Sequence, residues 1–136
     1  MFTEKIFAAK TDVLYDVLAF VEQHLEQAEC SLKLQTAIAI AVEEVFVNVV
    51  NYAYGDDTGN VKISFEFEQE NRTMTLVVSD KGIPFDPLKK QDPDITLSAE
   101  QRDIGGLGIF ITKKTMDSIE YCYQKGENIL TMKKKI

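Results

Sequence analysis

Three sets of residues have types and spacings suited to chemistry. The first lies in TAIAIAVEEVFVNVVNYAY, residues 36–54, which is apolar almost without a break. Glu44, Asn48 and Asn51 interrupt it at i, i+4 and i+7, a spacing that puts them on one helical face. A polar stripe on an apolar helix needs partners, because an unpaired buried amide or carboxylate is costly. The stripe faces either a polar neighbouring loop or a ligand cleft. In a cleft, a Glu–Asn pair one turn apart can serve as general base and Mg2+ ligand. Glu43 points elsewhere and is assigned to solvent.

The second set centres on Asp80. It continues the alternation of Met74, Leu76 and Val78, so it should point inward at a strand's end, with Gly82 and Pro84 following at once. A carboxylate there can accept a hydrogen bond from a ligand amino group, or it can cap the turn through its own backbone. The third set is IGGLGIF, residues 104–110, which opens an apolar helical segment. Glycines ahead of a helix let backbone N–H groups approach a phosphate, and the helix dipole favours the anion. The spacing GGxG is neither a dinucleotide-binding fingerprint nor a P-loop, and a simple turn into a helix is the competing reading.

Elements must hold these residues in place. Residues 2–9 can form a first strand. Residues 11–28 carry Val13, Val17, Phe20, Val21 and Leu25 at three-and-four spacing, with Thr11 as N-cap. A second helix over 31–54 is capped by Ser31 and ends before Gly55; being apolar nearly all round, it should be buried. Val61, Ile63, Phe65 and Phe67 alternate with polar residues, as do Met74, Leu76 and Val78, and Glu70-Asn71 between them predicts a hairpin. All three prolines (Pro84, Pro87, Pro93) fall in residues 83–104, which read as one long irregular connection. A third helix runs from Gly106 to Asp117, and strands 118–125 and 128–135 flank a turn at Gly126. Helices first and a meander later predict an α+β fold: a two-layer sandwich, its sheet mixed but mostly antiparallel, with helices on one face.

Bulk properties narrow the function classes. A chain of 136 residues is one ordinary domain, able to bury a core without staples. The net charge of −7 argues against nucleic acid, which needs a basic patch. The charge is segregated: residues 1–82 carry −8, residues 83–104 carry −2, and residues 105–136 carry +3. One histidine (His24, expected at the surface) and two distant cysteines do not make a zinc site, and Cys30 and Cys122 read as reduced, buried thiols. No apolar run approaches the roughly 18 residues of a membrane span, and the N-terminus is not a secretory signal. A cytoplasmic protein without membrane contact is expected.

Taken together, a helical E-x-x-x-N, a strand-end D-x-G, a proline-rich loop and a G-G-x-G helix start resemble the GHKL (Bergerat-fold) ATPase superfamily over nearly the whole chain. SDKGIPFDP at 79–87 and GGLGIFITKKTMDSIEY at 105–121 resemble its anti-sigma-factor serine/threonine kinase branch. The resemblance implies ATP and Mg2+ as cofactors, with Glu44 as the catalytic base and Asn48 as the Mg2+ ligand. It implies Asp80 as the acceptor for the adenine amino group, Gly82 as room for the base, and Gly105, Gly106 and Gly108 as phosphate contacts. Pro84 and Leu107 lie inside these motifs and join the nucleotide-binding set; Arg102 and Lys113 are candidates for charge near the γ-phosphate. Residues 86–104 match an ATP lid. Tyr52 departs from the wider superfamily, where many members carry histidine or arginine. Pro84 stands where many carry glycine, as is usual in the anti-sigma branch.

The implied function is ATP-dependent phosphorylation of a STAS-type anti-sigma-factor antagonist by a single kinase domain, residues 1–136, that also sequesters a sigma factor. Homodimerisation is common in such proteins. The alternative is a non-catalytic, nucleotide-dependent binding switch. A detached histidine-kinase catalytic domain finds no dimerising helix with a phosphorylatable histidine in its support.

Overall fold

The computed structural model describes residues 2–54, 59–89 and 106–136. The elements run β1 (Thr3–Ala8), α1 (Leu14–Gln27), α2 (Leu32–Tyr52), β2 (Asn60–Glu68), β3 (Thr73–Asp80), α3 (Gly106–Thr115), β4 (Ser118–Gln124) and β5 (Glu127–Lys135). The strands form one sheet in the order β1-β2-β3-β5-β4. All four pairings are antiparallel, so among the described residues the sheet lacks the parallel component that the sequence reading allowed. The reason is connectivity: β2–β3 and β4–β5 are hairpins, and β5 returns antiparallel along β3.

Alternation builds the two layers. Val61, Ile63 and Phe65 of β2, Met74, Leu76 and Val78 of β3, and Leu130 and Met132 of β5 face the helices. They pack in one cluster with Val17, Val21 and Leu25 of α1 and with Ile38, Val42, Val45 and Phe46 of α2. The sheet is thus covered by helices on one face, as an α+β sandwich requires.

The helix starts differ in how they are capped. Ser31 caps α2 as expected, its Oγ accepting from the Leu34 N–H at 3.3 Å. Thr11 does not cap α1. Residues Thr11–Val13 form a 3-10 turn, and Val13 precedes α1 with no side-chain cap. The β2–β3 hairpin turns through Arg72 at φ 51°. Its guanidinium donates to the carbonyls of Ala28 and Ile136, both at 2.9 Å, tying the hairpin to the end of α1 and to the last residue.

Four further expectations need correction. Helix α2 is not buried all round: Leu32 is 77% and Ile40 49% exposed, since only one flank meets the sheet. An 18-residue stretch of this 21-residue helix reaches a mean hydropathy of 1.3, so by length and composition alone it could cross a membrane, contrary to the expectation that no run is long enough. Here that apolar composition supplies the core of the sandwich. His24 is not a surface residue: half-buried, its ring lies 4.5 Å from that of Phe20 and 5.2 Å from that of Phe65, and its Nδ1 is 2.8 Å from the Phe20 carbonyl. Cys30 is buried but Cys122, on the outer strand β4, is exposed.

Two outcomes are expected. Phe46 is fully enclosed, and Phe46→Ala should cost about 3–5 kcal/mol, read as a lower urea midpoint at nearly constant slope. Burial pushes the Cys30 thiol pKa up, so a thiol reagent should modify Cys122 at once in the native protein and Cys30 only after denaturant is added.

Candidate functional site

Helix α2 supplies one wall of a cleft and the sheet supplies its floor. The cleft lies between Val45, Asn48, Val49 and Ala53 of α2, Val78 and Asp80 of β3, and Leu130 and Asn128 of β5. Ile109 of α3, Tyr121 of β4, Phe85 and Pro87 complete it. Its walls are mostly apolar, with a few polar groups at fixed points, the usual build of a small-molecule site.

Asp80 stands at the deep end, only 6% exposed. Its register on β3 places it opposite Val61 on one side and Asn128 on the other. Both roles left open by the sequence are present. Oδ1 accepts the Gly82 N–H at 2.9 Å, so the carboxylate caps its own turn, and the same side chain lines the cleft. Oδ1 also accepts from Asn128 Nδ2 at 2.9 Å.

Asn128 was missed by the sequence reading. Its amide makes four hydrogen bonds: Nδ2 donates to Asp80 and, at 2.8 Å, to the Ile83 carbonyl, while Oδ1 accepts from the Phe85 N–H at 3.0 Å and from the Tyr121 hydroxyl. A signal did exist. Asn128, Leu130 and Met132 alternate inward on β5, and a polar residue at the first such position is out of keeping with a core strand. Burial, the largest influence, pushes the Tyr121 phenol pKa up, and the charges of Asp86 and Asp80 add to it against an opposing backbone hydrogen bond. Tyr121 therefore stays protonated and donating at neutral pH.

Gly82 lies against the end of α2. A Cβ there would lie 2.1 Å from the Ala53 carbonyl oxygen, and the adjacent Ile83 N–H donates to that oxygen at 2.7 Å. The loop after β3 is thereby fastened to the end of α2. Pro84 is exposed and does not reach the cleft wall; Phe85 does. The Phe85 ring stacks on exposed Tyr52, with centroids 5.0 Å apart and planes 22° apart, which gives Tyr52 a place as the outer backing of the cleft. Of the expected lid, Pro87–Lys89 forms a 3-10 turn; residues 90–104, with Arg102, lie outside the described residues.

The other end of the site joins Glu44 to the glycine-rich helix start. A Cβ on Gly108 would fall 1.9 Å from Glu44 Cδ, so the Glu44 carboxylate rests directly on the first turn of α3. Asn48 lies one turn further along α2, about 6 Å by helical rise, and faces the cleft. Glu43 is exposed, as expected, and so is Asn51, which falls outside the cleft. Gly106 and Leu107 begin α3, and a helix start of this kind can receive an anion, while Gly105 lies outside the described residues. Lys113 belongs to the last turn of α3 and does not line the cleft.

The donor set suits a Mg-nucleotide. A buried acceptor in an apolar slot fits a base carrying an amino group, and a glycine-flanked helix start fits phosphates. Among the described residues no group of three or more His, Cys, Asp or Glu gathers as a metal cage. Mg2+ bound beside phosphates does not require one, because it keeps waters and takes one or two protein oxygens.

Comparison with known proteins identifies the family. Residues 7–134 match the family described as Histidine kinase-like ATPase domain. The chain belongs to that family. The curated relatives include proteins named serine-protein kinase RsbW from Bacillus thuringiensis (strain Al Hakam) and Bacillus cereus (strain 03BB102). Each is 34% identical over 98 residues, covering 69% of this chain and 60% of the relative. The chain thus spans about three-fifths of those relatives' length. Among solved structures, the RsbU and RsbW domains of a Mycobacterium tuberculosis protein superpose with TM-score 0.70 at 13% identity, covering 99% of this chain and 32% of that one. A histidine kinase domain from a blue-light activated kinase of Erythrobacter litoralis gives 0.57 at 15%, covering 90% and 60%. At such identities these two structures speak for the shared fold.

The Gly82 contact is directly testable. Because the obstructing atom is backbone, Gly82→Ala should cost about 1–3 kcal/mol of stability, measured by thermal or urea denaturation.

Proposed function

We propose that this protein is an ATP-dependent serine/threonine protein kinase of a bacterial partner-switching system. It phosphorylates a STAS-type anti-sigma-factor antagonist, sequesters a sigma factor and acts in the cytoplasm. The observation that carries the reading is the seating of Glu44 on Gly108 at the head of α3, one helical turn from Asn48 and the Asp80 cleft. The names of the curated relatives support the kinase branch over other uses of the fold.

The chemistry follows from positions. Asp80 accepts a hydrogen bond from the amino group of adenine, and the apolar walls hold the ring. The first turn of α3, Gly106 to Gly108, directs backbone N–H groups at the phosphates. Asn48 offers its carbonyl oxygen to Mg2+, which when bound neutralises charge on the phosphate oxygens. Glu44 accepts the proton of the acceptor serine or threonine hydroxyl as its oxygen bonds to the γ-phosphorus. The bond from the γ-phosphorus to the bridging oxygen breaks, and ADP leaves. Phosphoryl transfer asks little more of a protein than such alignment and charge neutralisation.

Labelled ATP, Mg2+ and STAS proteins encoded near the gene provide the test. Transfer to a serine or threonine of one of them is expected. Glu44→Gln should lower the transfer rate by about 10²-fold or more while MgATP affinity stays within about threefold. Transfer at the native rate by Glu44→Gln would sink the assignment of the base. Binding of MgATP by the native protein without transfer to any partner would favour the non-catalytic switch.

A further inference from the structure

We propose that Asn128 is a positioning residue that sets the base selectivity of the cleft, by fixing which oxygen of Asp80 meets the base. The proposal rests on the adenine-nucleotide reading above and adds to it a residue outside the motifs.

The partners of Asn128 leave no freedom in its orientation. A carboxylate and a carbonyl can only receive, so the NH2 group must face Asp80 and Ile83; the Phe85 N–H donates, so the amide oxygen must face it. With the Tyr121 hydroxyl also on Oδ1, both donors and both lone pairs of the amide are used. The side chain is 6% exposed, so these bonds have little competition from water.

Two consequences reach the cleft. The first concerns Asp80. Rotation about the Asp χ2 bond is soft and roughly two-fold, so an unheld carboxylate presents either oxygen over a broad arc. Here Gly82 N–H and Asn128 Nδ2 both bind Oδ1, at 2.9 Å each. That leaves Oδ2 as the acceptor turned to the base, with the carboxylate plane set. A fixed acceptor favours a base with an amino group at that point and repels one with a carbonyl oxygen. The second concerns the wall. Asn128 grips the loop after β3 at both the Ile83 carbonyl and the Phe85 N–H, which seats the Phe85 ring against the cleft and against Tyr52. One amide thus aligns the polar recognition group and the apolar wall beside it.

A purely structural asparagine would affect all nucleotides equally. A positioning one changes their ratio. The test compares dissociation constants of MgATP and MgITP, which differ in an amino group against an oxo group at the base's six position. The native protein should favour ATP by tenfold or more. Asn128→Ala should cut that ratio at least fivefold, mostly through weaker ATP binding, with ITP changed less than about threefold. Asn128→Thr keeps a hydroxyl that can donate to Asp80, and should retain more of the ratio than alanine does. Tyr121→Phe removes a bond to Asn128 but none to Asp80, so it should weaken both nucleotides alike and preserve the ratio.

Equal losses of ATP and ITP in the Asn128 variants would overturn the proposal, as would a ratio reduced as much by Tyr121→Phe as by the Asn128 changes. Should Asn128→Ala fail to fold by circular dichroism, the threonine and phenylalanine variants still decide it. Failure to bind ATP at all by the native protein would instead overturn the nucleotide reading, so the two failures are distinguishable.

Discussion

A carboxylate buried at the end of a core strand is tolerated only if its oxygens are hydrogen-bonded. Asp80 meets that condition through the Gly82 N–H and the Asn128 amide, and much of the surrounding structure exists to deliver those two donors. Gly82 is in place because its lack of a side chain lets the loop close onto Ala53. Asn128 is in place because β5 pairs with β3 in a register that sets residues 80 and 128 opposite each other. A shift of that register by one residue would turn Asn128 to the outer face and leave the carboxylate short of a donor. The site and the sheet pairing therefore depend on each other.

Helix α2 joins the core to the chemistry. Its buried flank, with Ile38, Val42, Val45 and Phe46, is anchored in the sandwich, so the neighbouring flank with Glu44 and Asn48 is held as firmly as the core itself. Sites built on packed helices keep their geometry better than sites built on loops. The contact between Glu44 and Gly108 extends this rigidity to the head of α3. In contrast, the apolar side of the cleft is closed by a loop residue, Phe85, which relies on Asn128 and Tyr52 to hold it.

The order of elements, the inward faces of β2 and β3 and the polar stripe on α2 were legible because each follows from local periodicity. The glycine cluster and Asp80 were legible for the same reason: residues that break a local pattern stand out. The start of α1 was misjudged because Thr11 has the composition of a cap, and composition does not reveal that the backbone makes a 3-10 turn first. His24 and Cys122 were misassigned because exposure depends on what packs above a residue, and the sequence does not contain that neighbour. Asn128 did break the pattern of its strand but sat outside every recognised motif.

Residue types and spacings alone pick out the side chains able to carry charge, proton transfer and close backbone approach, and the family in which they occur together. Those properties reside in single side chains and in spacings of a few residues. Which of them meet is a matter of the folded chain. It seated Glu44 on Gly108, 64 positions away in the chain, joined Asp80 to Asn128, and kept Pro84 and Lys113 off the cleft wall. It also gave Gly82 a further reason to lack a side chain, the close approach of the Ala53 carbonyl. The physical reason is that side-chain chemistry is local, whereas proximity is set by strand register and helix packing, to which residues far apart in sequence contribute jointly.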